Sequence, residues 1–176
     1  MNSDIVSLII ILICVMLSAY FSATETSFTS LNRIRMKNMA DKGNKRAALV
    51  LELEEKYDNL LSTILIGNNI VNLSASSIST SLAIHLFGNT GAGIATGILT
   101  FLILIFGEVT PKTMATIKAD SMSLTVAAPI GLLMKILTPV IFIINKLSLG
   151  LMFLLHVNIK DAQKKMTEEE LRTIVD

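Results

Sequence analysis

The sequence predicts an all-α integral membrane protein, and three observations lead to this fold class. Apolar residues make up 52% of the 176 residues and charged residues only 16%, whereas about a quarter of the residues in a soluble domain are charged. The apolar residues form long runs, with room for about three to five membrane-crossing helices of about 20 residues each. Lysines and arginines concentrate in a segment beside these runs, and residues 60–109 contain neither. The seven basic residues of that segment are Arg33, Arg35, Lys37, Lys42, Lys45, Arg46 and Lys56.

The first apolar run predicts a membrane span over about residues 4–27. No basic residue precedes it, whereas a cleaved signal peptide normally begins with positive charge, so we expect the span to be retained. The basic segment that follows places the N-terminus outside the cytoplasm by the positive-inside rule. Residues 31–58 are amphipathic and predict two short juxtamembrane helices, which separate at Gly43 and Asn44.

Two further spans are predicted over about residues 60–87 and 91–111, joined by a short uncharged turn. Residues 118–157 form the next predicted juxtamembrane segment, whose part from 121 to 156 is strongly apolar but contains two prolines and two lysines, at Pro129, Lys135, Pro139 and Lys146. We expect two short spans or a hairpin of interfacial helices there, and the lysines favour the interfacial arrangement. Either arrangement returns the chain to the side on which it began.

Residues 160–176 are polar and charged, and we expect them to begin a cytoplasmic linker. Thr167 with Glu170 three residues later is typical of a helix start, with the threonine as N-cap. The domain would therefore extend over residues 1–159.

Oxygen-bearing side chains occur within the predicted spans, where such groups are costly and usually face a cavity, an ion or a partner. They are Ser22, Glu25, Asn68, Asn69, Asn72 and Glu108. Asn68 and Asn72 are four residues apart and share one helix face, so their amide oxygens can converge on one ion. Because Pro111 has no N–H, the carbonyl of Gly107 loses its helical partner beside Glu108. Unwound backbone beside a carboxylate is a common cation site in transporters, and Gly67 precedes Asn68 in a similar way.

Hydroxyl, amide, carboxylate and carbonyl oxygens suit Mg²⁺, Ca²⁺, Mn²⁺ or Na⁺ and argue against zinc or copper. One carboxylate among neutral oxygens predicts modest affinity, which favours release and therefore transport. A structural alternative stays open, because asparagine and serine also join membrane helices to one another. Glu25 has its own alternative, an ion pair with Arg33 or Lys112, and Lys112 is predicted to anchor the span at the interface.

Other classes of function find no support in the sequence. The single cysteine, Cys14, lies in an apolar run, so neither an intrachain disulfide nor a cysteine-based zinc site can form. No nucleophile elbow, phosphate loop or paired-aspartate motif is present, and we expect no enzyme. The basic segment lacks interleaved aromatic residues apart from Tyr57, and we expect no nucleic-acid partner.

Three ordered motifs carry a resemblance to a known family. Residues 21–27 (FSATETS), 63–72 (TILIGNNIVN) and 106–112 (FGEVTPK) resemble the motifs of the CorC/CNNM magnesium transporters. Residues 166–171 (MTEEEL) are similar to the segment that leads into the family's ATP-binding pair of CBS domains, a region that this sequence does not contain.

The resemblance implies a multi-pass protein of the plasma membrane, a homodimer with three spans per subunit. The C-terminus would be cytoplasmic, and the remaining apolar helices would form a juxtamembrane belt. It also implies export of Mg²⁺ driven by inward Na⁺, with ATP acting only through the CBS domains. Its Mg²⁺ ligands would be Ser22, Asn68, Asn72 and Glu108 with the carbonyl of Gly107, while Pro111 would keep the third helix broken. Asn69 and Glu25 are candidates for coupling or gating. A divalent-cation channel, a membrane-embedded magnesium sensor or anchor, and a structural dimer are the alternatives.

Overall fold

The computed structural model describes residues 3–154, which are helical almost throughout and include no β-strand. The helices in chain order are α1 (Ser3–Ser30), α2 (Arg33–Asp41), α3 (Lys45–Glu55), α4 (Tyr57–Phe87), α5 (Asn89–Leu102), a π-helical segment (Ile103–Val109), α6 (Thr110–Ile117) and α7 (Ala119–Leu154). Four stretches of helix are long and apolar enough to cross a membrane: α1, α4, residues 91–117 and residues 119–152. The predicted all-helical class is therefore confirmed for residues 3–154. The expected linker and the Thr167 cap lie outside the described residues.

Helices α1 and α4 run antiparallel. The N-terminal end of α1 meets the C-terminal end of α4, where Nδ1 of His85 lies 3.2 Å from Oδ1 of Asp4. Further along α1, the Ser18 hydroxyl donates to Oδ1 of Asn68, earlier in α4, at 3.1 Å. The residue number therefore rises along one helix as it falls along the other.

The third long helical stretch runs parallel to α1. Gly107, in the π-helical segment, lies against Ser18, and Lys112 of α6 pairs with Glu25 near the end of α1. The first three long stretches thus alternate in direction, as consecutive passes through a membrane would.

Glycines and asparagine caps separate the shorter helices. The Asn44 side chain accepts from the backbone N–H groups of Arg46 and Ala47 at the start of α3. Gly43 before it has φ of +89°, a conformation that residues with a side chain rarely adopt. This is the break predicted at Gly43 and Asn44. Gly88, with φ of +73°, similarly separates α4 from α5.

The third helix is widened before Pro111 and not broken there, so the prediction of a broken helix is wrong. The π-helical segment continues directly into α6, and the backbone N–H of Thr110 donates to the carbonyl of Ile105, five residues earlier. Pro111 lies in the first turn of α6, where a missing N–H costs little. Pro111 has no N–H to donate. If the π repeat (five residues) extends to Pro111, the carbonyl left without a donor is that of Phe106; if the α repeat (four residues) applies there, it is that of Gly107.

Helix α7 is also continuous, although we expected two short spans or a hairpin. Pro129 and Pro139 both lie inside it. Proline removes one hydrogen bond and favours a kink, and long apolar helices tolerate this where they pack against neighbours or in lipid. The described chain forms two compact units that divide between Leu137 and Thr138.

Several of the side chains buried among the described residues of the first unit are small and polar. Six polar residues are buried, namely Ser18, Ser22, Thr24, Ser27, Thr63 and Ser123, whereas many leucines, isoleucines and phenylalanines are exposed. Small hydroxyl residues allow close approach of helices in lipid, which solvates the apolar exterior. This distribution, together with the long apolar helices, identifies a membrane protein.

Candidate ion-binding site

Ser18 joins α1 to α4 at the centre of the buried polar region. Its side chain is completely buried, and its hydroxyl donates to Oδ1 of Asn68 at 3.1 Å. Ser18 was not among the residues that the sequence singled out. The available signal was its position four residues before Ser22, which places the two hydroxyls on one face of α1.

Gly107 brings the third helix to the same point. A Cβ atom at Gly107 would lie 3.0 Å from Oγ and 3.3 Å from Cβ of Ser18, closer than ordinary van der Waals contact. The absence of a side chain therefore allows the π-helical backbone to lie directly against Ser18. Ser18, Asn68 and Gly107 together form the junction of α1, α4 and the π-helical segment.

Two further oxygens of the region are buried and unsatisfied. Oγ of Ser22 and Oδ1 of Asn72 have no hydrogen-bond partner among residues 3–154. An unpaired buried polar atom costs about 1–3 kcal/mol, so such atoms call for a ligand. Both belong to the predicted Mg²⁺ ligand set.

These oxygens form an elongated seam. Ser22 lies one turn beyond Ser18 along α1, and Asn72 one turn beyond Asn68 along α4, about 6 Å in each case at 1.5 Å per residue. Because the two helices are antiparallel, the two steps point in opposite directions. We call Ser18, Ser22, Asn68 and Asn72, with Gly107, the polar seam.

The helices approach closely beside the seam at Gly67. Helix α4 continues through this residue, so the expected unwinding before Asn68 is wrong. A Cβ atom at Gly67 would lie 2.3 Å from Cζ of Phe21, and Phe21 is buried. The lack of a side chain at Gly67 therefore leaves room for the Phe21 ring of α1.

The remaining predicted residues lie around the seam. Glu108 follows Gly107 in the π-helical segment and is half-buried, and its carboxylate forms no ion pair within residues 3–154. Pro111 is half-buried in α6. Asn69 is exposed, because consecutive residues of a helix point about 100° apart.

Glu25 forms one of the two ion pairs that the sequence left open. Nζ of Lys112 lies 3.2 Å from Oε2 of Glu25, while Arg33 pairs instead with Glu54 at 3.6 Å. Glu25 lies three residues beyond Ser22 on α1, and Lys112 four residues beyond Glu108. The pair therefore lies next to one end of the polar seam.

The seam supplies the oxygen chemistry that hard cations prefer. The seam contains serine hydroxyls and asparagine amides beside the backbone of Gly107, and Glu108 follows Gly107 in the chain; these donor types suit Mg²⁺ or Na⁺. Within the described part of the chain, no three His, Cys, Asp or Glu residues come together as a metal site.

Comparison with known proteins finds a matching family model and relatives that align with most of this chain. The family model described as the cyclin M transmembrane N-terminal domain (CNNM) matches residues 9–176. A UPF0053 protein of Haemophilus influenzae is 42% identical over 167 residues, covering 95% of this chain and 40% of the relative. The UPF0053 inner membrane protein YfjD of Escherichia coli is 39% identical over 160 residues, covering 90% of this chain and 37% of the relative.

A plant relative matches over nearly the same region. The DUF21 domain-containing protein At1g55930, chloroplastic, of Arabidopsis thaliana is 34% identical over 159 residues, covering 90% of this chain and 24% of the relative. The chain thus spans less than half the length of these relatives. The match of the family model over almost the whole chain establishes that the chain belongs to the CNNM transmembrane-domain family, also called CorC/CNNM.

Proposed function

We propose that the chain is the transmembrane domain of a magnesium transporter that exports Mg²⁺ in exchange for inward Na⁺. The observation that supports this most directly is the pair of buried, unpartnered oxygens, Oγ of Ser22 and Oδ1 of Asn72. A protein that used these residues only to join helices would be expected to pair them. Membership of a transporter-type membrane family, and not of an enzyme family, agrees with the proposal.

The Mg²⁺ ligands would be Ser22, Asn68, Asn72 and Glu108 with the carbonyl of Gly107. Because the seam is elongated, the ion would keep part of its hydration shell as it moves between these oxygens, since Mg²⁺ dehydrates reluctantly. Glu108 would supply the one negative charge. The two asparagines would set the geometry of the ligands.

Transport would follow alternating access around the seam. Helix α1 contacts both α4 and the third helix, so a movement of α1 against either neighbour would open one end of the seam and close the other. The Glu25–Lys112 ion pair would close the end nearer the basic segment, which is the cytoplasmic end by the positive-inside rule. The Asp4–His85 contact would lie at the outer end.

The protein would cross the plasma membrane three times per subunit and act as a homodimer. Asn69 supports the dimer, since an exposed asparagine within a span would face lipid unless another subunit covers it. Na⁺ would be the coupling ion, entering as Mg²⁺ is exported. Control by ATP would come only from CBS domains joined beyond residues 160–176.

Magnesium flux in proteoliposomes tests the proposal. The protein is compared with Glu108→Gln, with and without a sodium gradient, and Glu55→Gln serves as control because Glu55 is an exposed glutamate of α3. We expect sodium-dependent flux that Glu108→Gln loses and Glu55→Gln retains.

Other outcomes would point to other functions. Flux that does not depend on sodium would indicate a divalent-cation channel. An absence of flux with retained Mg²⁺ binding would indicate a sensor or an anchor for a cytosolic domain. Unchanged flux in Glu108→Gln would refute the assignment of the charged ligand.

A further inference from the structure

We propose that Ser18 is a positioning residue for the ion site, which acts by holding the amide of Asn68. This inference rests on the proposed function and extends it to a residue outside the three family motifs. The Ser18 hydroxyl of α1 donates a hydrogen bond to Oδ1 of Asn68 in α4. It also lies against Gly107, so it contacts two of the proposed ligand residues.

The hydrogen bond leaves Asn68 able to bind an ion. An amide oxygen has two lone pairs, so Oδ1 of Asn68 can accept from the Ser18 hydroxyl on one and bind a cation with the other. The hydrogen bond would persist when the ion binds and would keep the oxygen directed into the seam. Without it, the half-buried amide could rotate about its side-chain bonds and present its NH₂ group, which repels a cation.

The surroundings of Ser18 fix the position of its hydroxyl. The side chain is completely buried, and the backbone of Gly107 restricts it on one side. A donor held in this way limits the orientations of its acceptor, as the residues that support metal ligands commonly do. Ser22 differs, because its hydroxyl has no partner among residues 3–154 and remains free to bind the ion.

The experiment compares Ser18→Ala with Ser27→Ala. Ser27 is also a completely buried serine of α1, but its hydroxyl donates only to the nearby carbonyl of Thr24 at 3.0 Å. Two quantities are measured for each variant. They are the Mg²⁺ concentration for half-maximal flux in proteoliposomes and the Mg²⁺ concentration for half-maximal thermal stabilisation in detergent.

We expect Ser18→Ala to raise both concentrations by about tenfold, the lower end of the usual effect of losing an outer hydrogen bond to a metal ligand. The maximal flux should stay within about twofold of the unmodified protein, because the ligands themselves remain. Ser27→Ala should leave both Mg²⁺ concentrations unchanged. A purely structural role of Ser18 would instead lower the melting temperature without changing either concentration.

A double variant tests whether Ser18 acts through Asn68. Ser18→Ala introduced into Asn68→Ala should cause no further rise in the half-maximal Mg²⁺ concentration, because the group that Ser18 positions is already absent. Additive effects, tighter binding in Ser18→Ala, or a fall in maximal flux alone would each overturn the proposal. If the unmodified protein shows neither Mg²⁺-dependent stabilisation nor flux, the proposed function fails as well. If it responds and Ser18→Ala responds identically, only the role of Ser18 fails.

Discussion

Gly67→Ala should force α1 and α4 apart beside the polar seam. The added Cβ atom would lie 2.3 Å from Cζ of Phe21, about 1.2–1.7 Å short of the usual 3.5–4.0 Å separation between carbon atoms. The Phe21 ring is buried, so either the ring or the helix must move. Movement of the helix by 1 Å would lengthen the 3.1 Å hydrogen bond between Ser18 and Asn68 beyond the usual range.

The expected cost of this change is an overpacking energy of about 1–3 kcal/mol. For a chain of this size, it corresponds to a fall in melting temperature of about 2–12 °C. Cys14 provides the assay, since it is the one cysteine of the sequence and only 7% exposed. A thiol-reactive fluorescent dye will label it as the protein unfolds on heating.

Two further variants make the test specific. Gly97→Ala is the control, because Gly97 is a helical glycine with open space around its Cβ position, and alanine there should be neutral or stabilising by up to about 1 kcal/mol. Phe21→Leu removes the far end of the ring, so the double variant with Gly67→Ala should recover at least half of the lost stability. A melting temperature for Gly67→Ala equal to that of Gly97→Ala would refute the argument from close approach.

Two other contacts give predictions of smaller scope. Glu25→Gln and Lys112→Met should each destabilise the protein slightly, and the double variant should show a coupling energy of up to about 1 kcal/mol by thermal unfolding, because the pair is partly exposed and screened. Asp120→Ala should cost about 1–3 kcal/mol, since its carboxylate accepts from the backbone N–H of Asn32 at 2.9 Å and from Arg35 at 3.2 Å. Trypsin should then cleave the segment around α2 faster.

Controls are available for both contacts. The coupling between Glu25 and Lys112 should decrease in high salt, and additive effects of the two substitutions would show that the ion pair contributes nothing. Asp41→Ala changes an exposed aspartate at the end of α2 and should leave the rate of trypsin cleavage unaltered. If trypsin cleaves the Asp120→Ala variant no faster than the unmodified protein, the role given to the Asp120 carboxylate is contradicted.

Local chemistry made some elements predictable from the sequence. Gly43 followed by Asn44 indicated a break, because glycine adopts positive φ and asparagine caps the next helix. The four-residue spacing of Asn68 and Asn72 indicated a shared helix face. An ion pair of Glu25 with Arg33 or Lys112 was one alternative that the sequence left open, and the structure shows the pair with Lys112.

Features that depend on how helices pair were not predictable. The importance of Ser18 follows from the register of α1 against α4, which no spacing within α1 specifies. Gly67 was interpreted as a point of unwinding, but it accommodates a ring from another helix. The prolines of α7 and Pro111 were treated as breaks, because the rule for helices in water overstates their effect in apolar helices that pack or lie in lipid.

The π-helical segment relates the seam to the ion pair beside it. Both Gly107 and Lys112, five residues apart, contact α1. In a regular α-helix, residues five apart point about 140° away from one another, whereas a π repeat brings the fifth residue nearer to the same face. The widened turn therefore lets one stretch of the third helix place its backbone against Ser18 and its lysine against Glu25. Glu108 lies within that stretch, so a change in the π repeat would alter the direction of its carboxylate together with both contacts to α1.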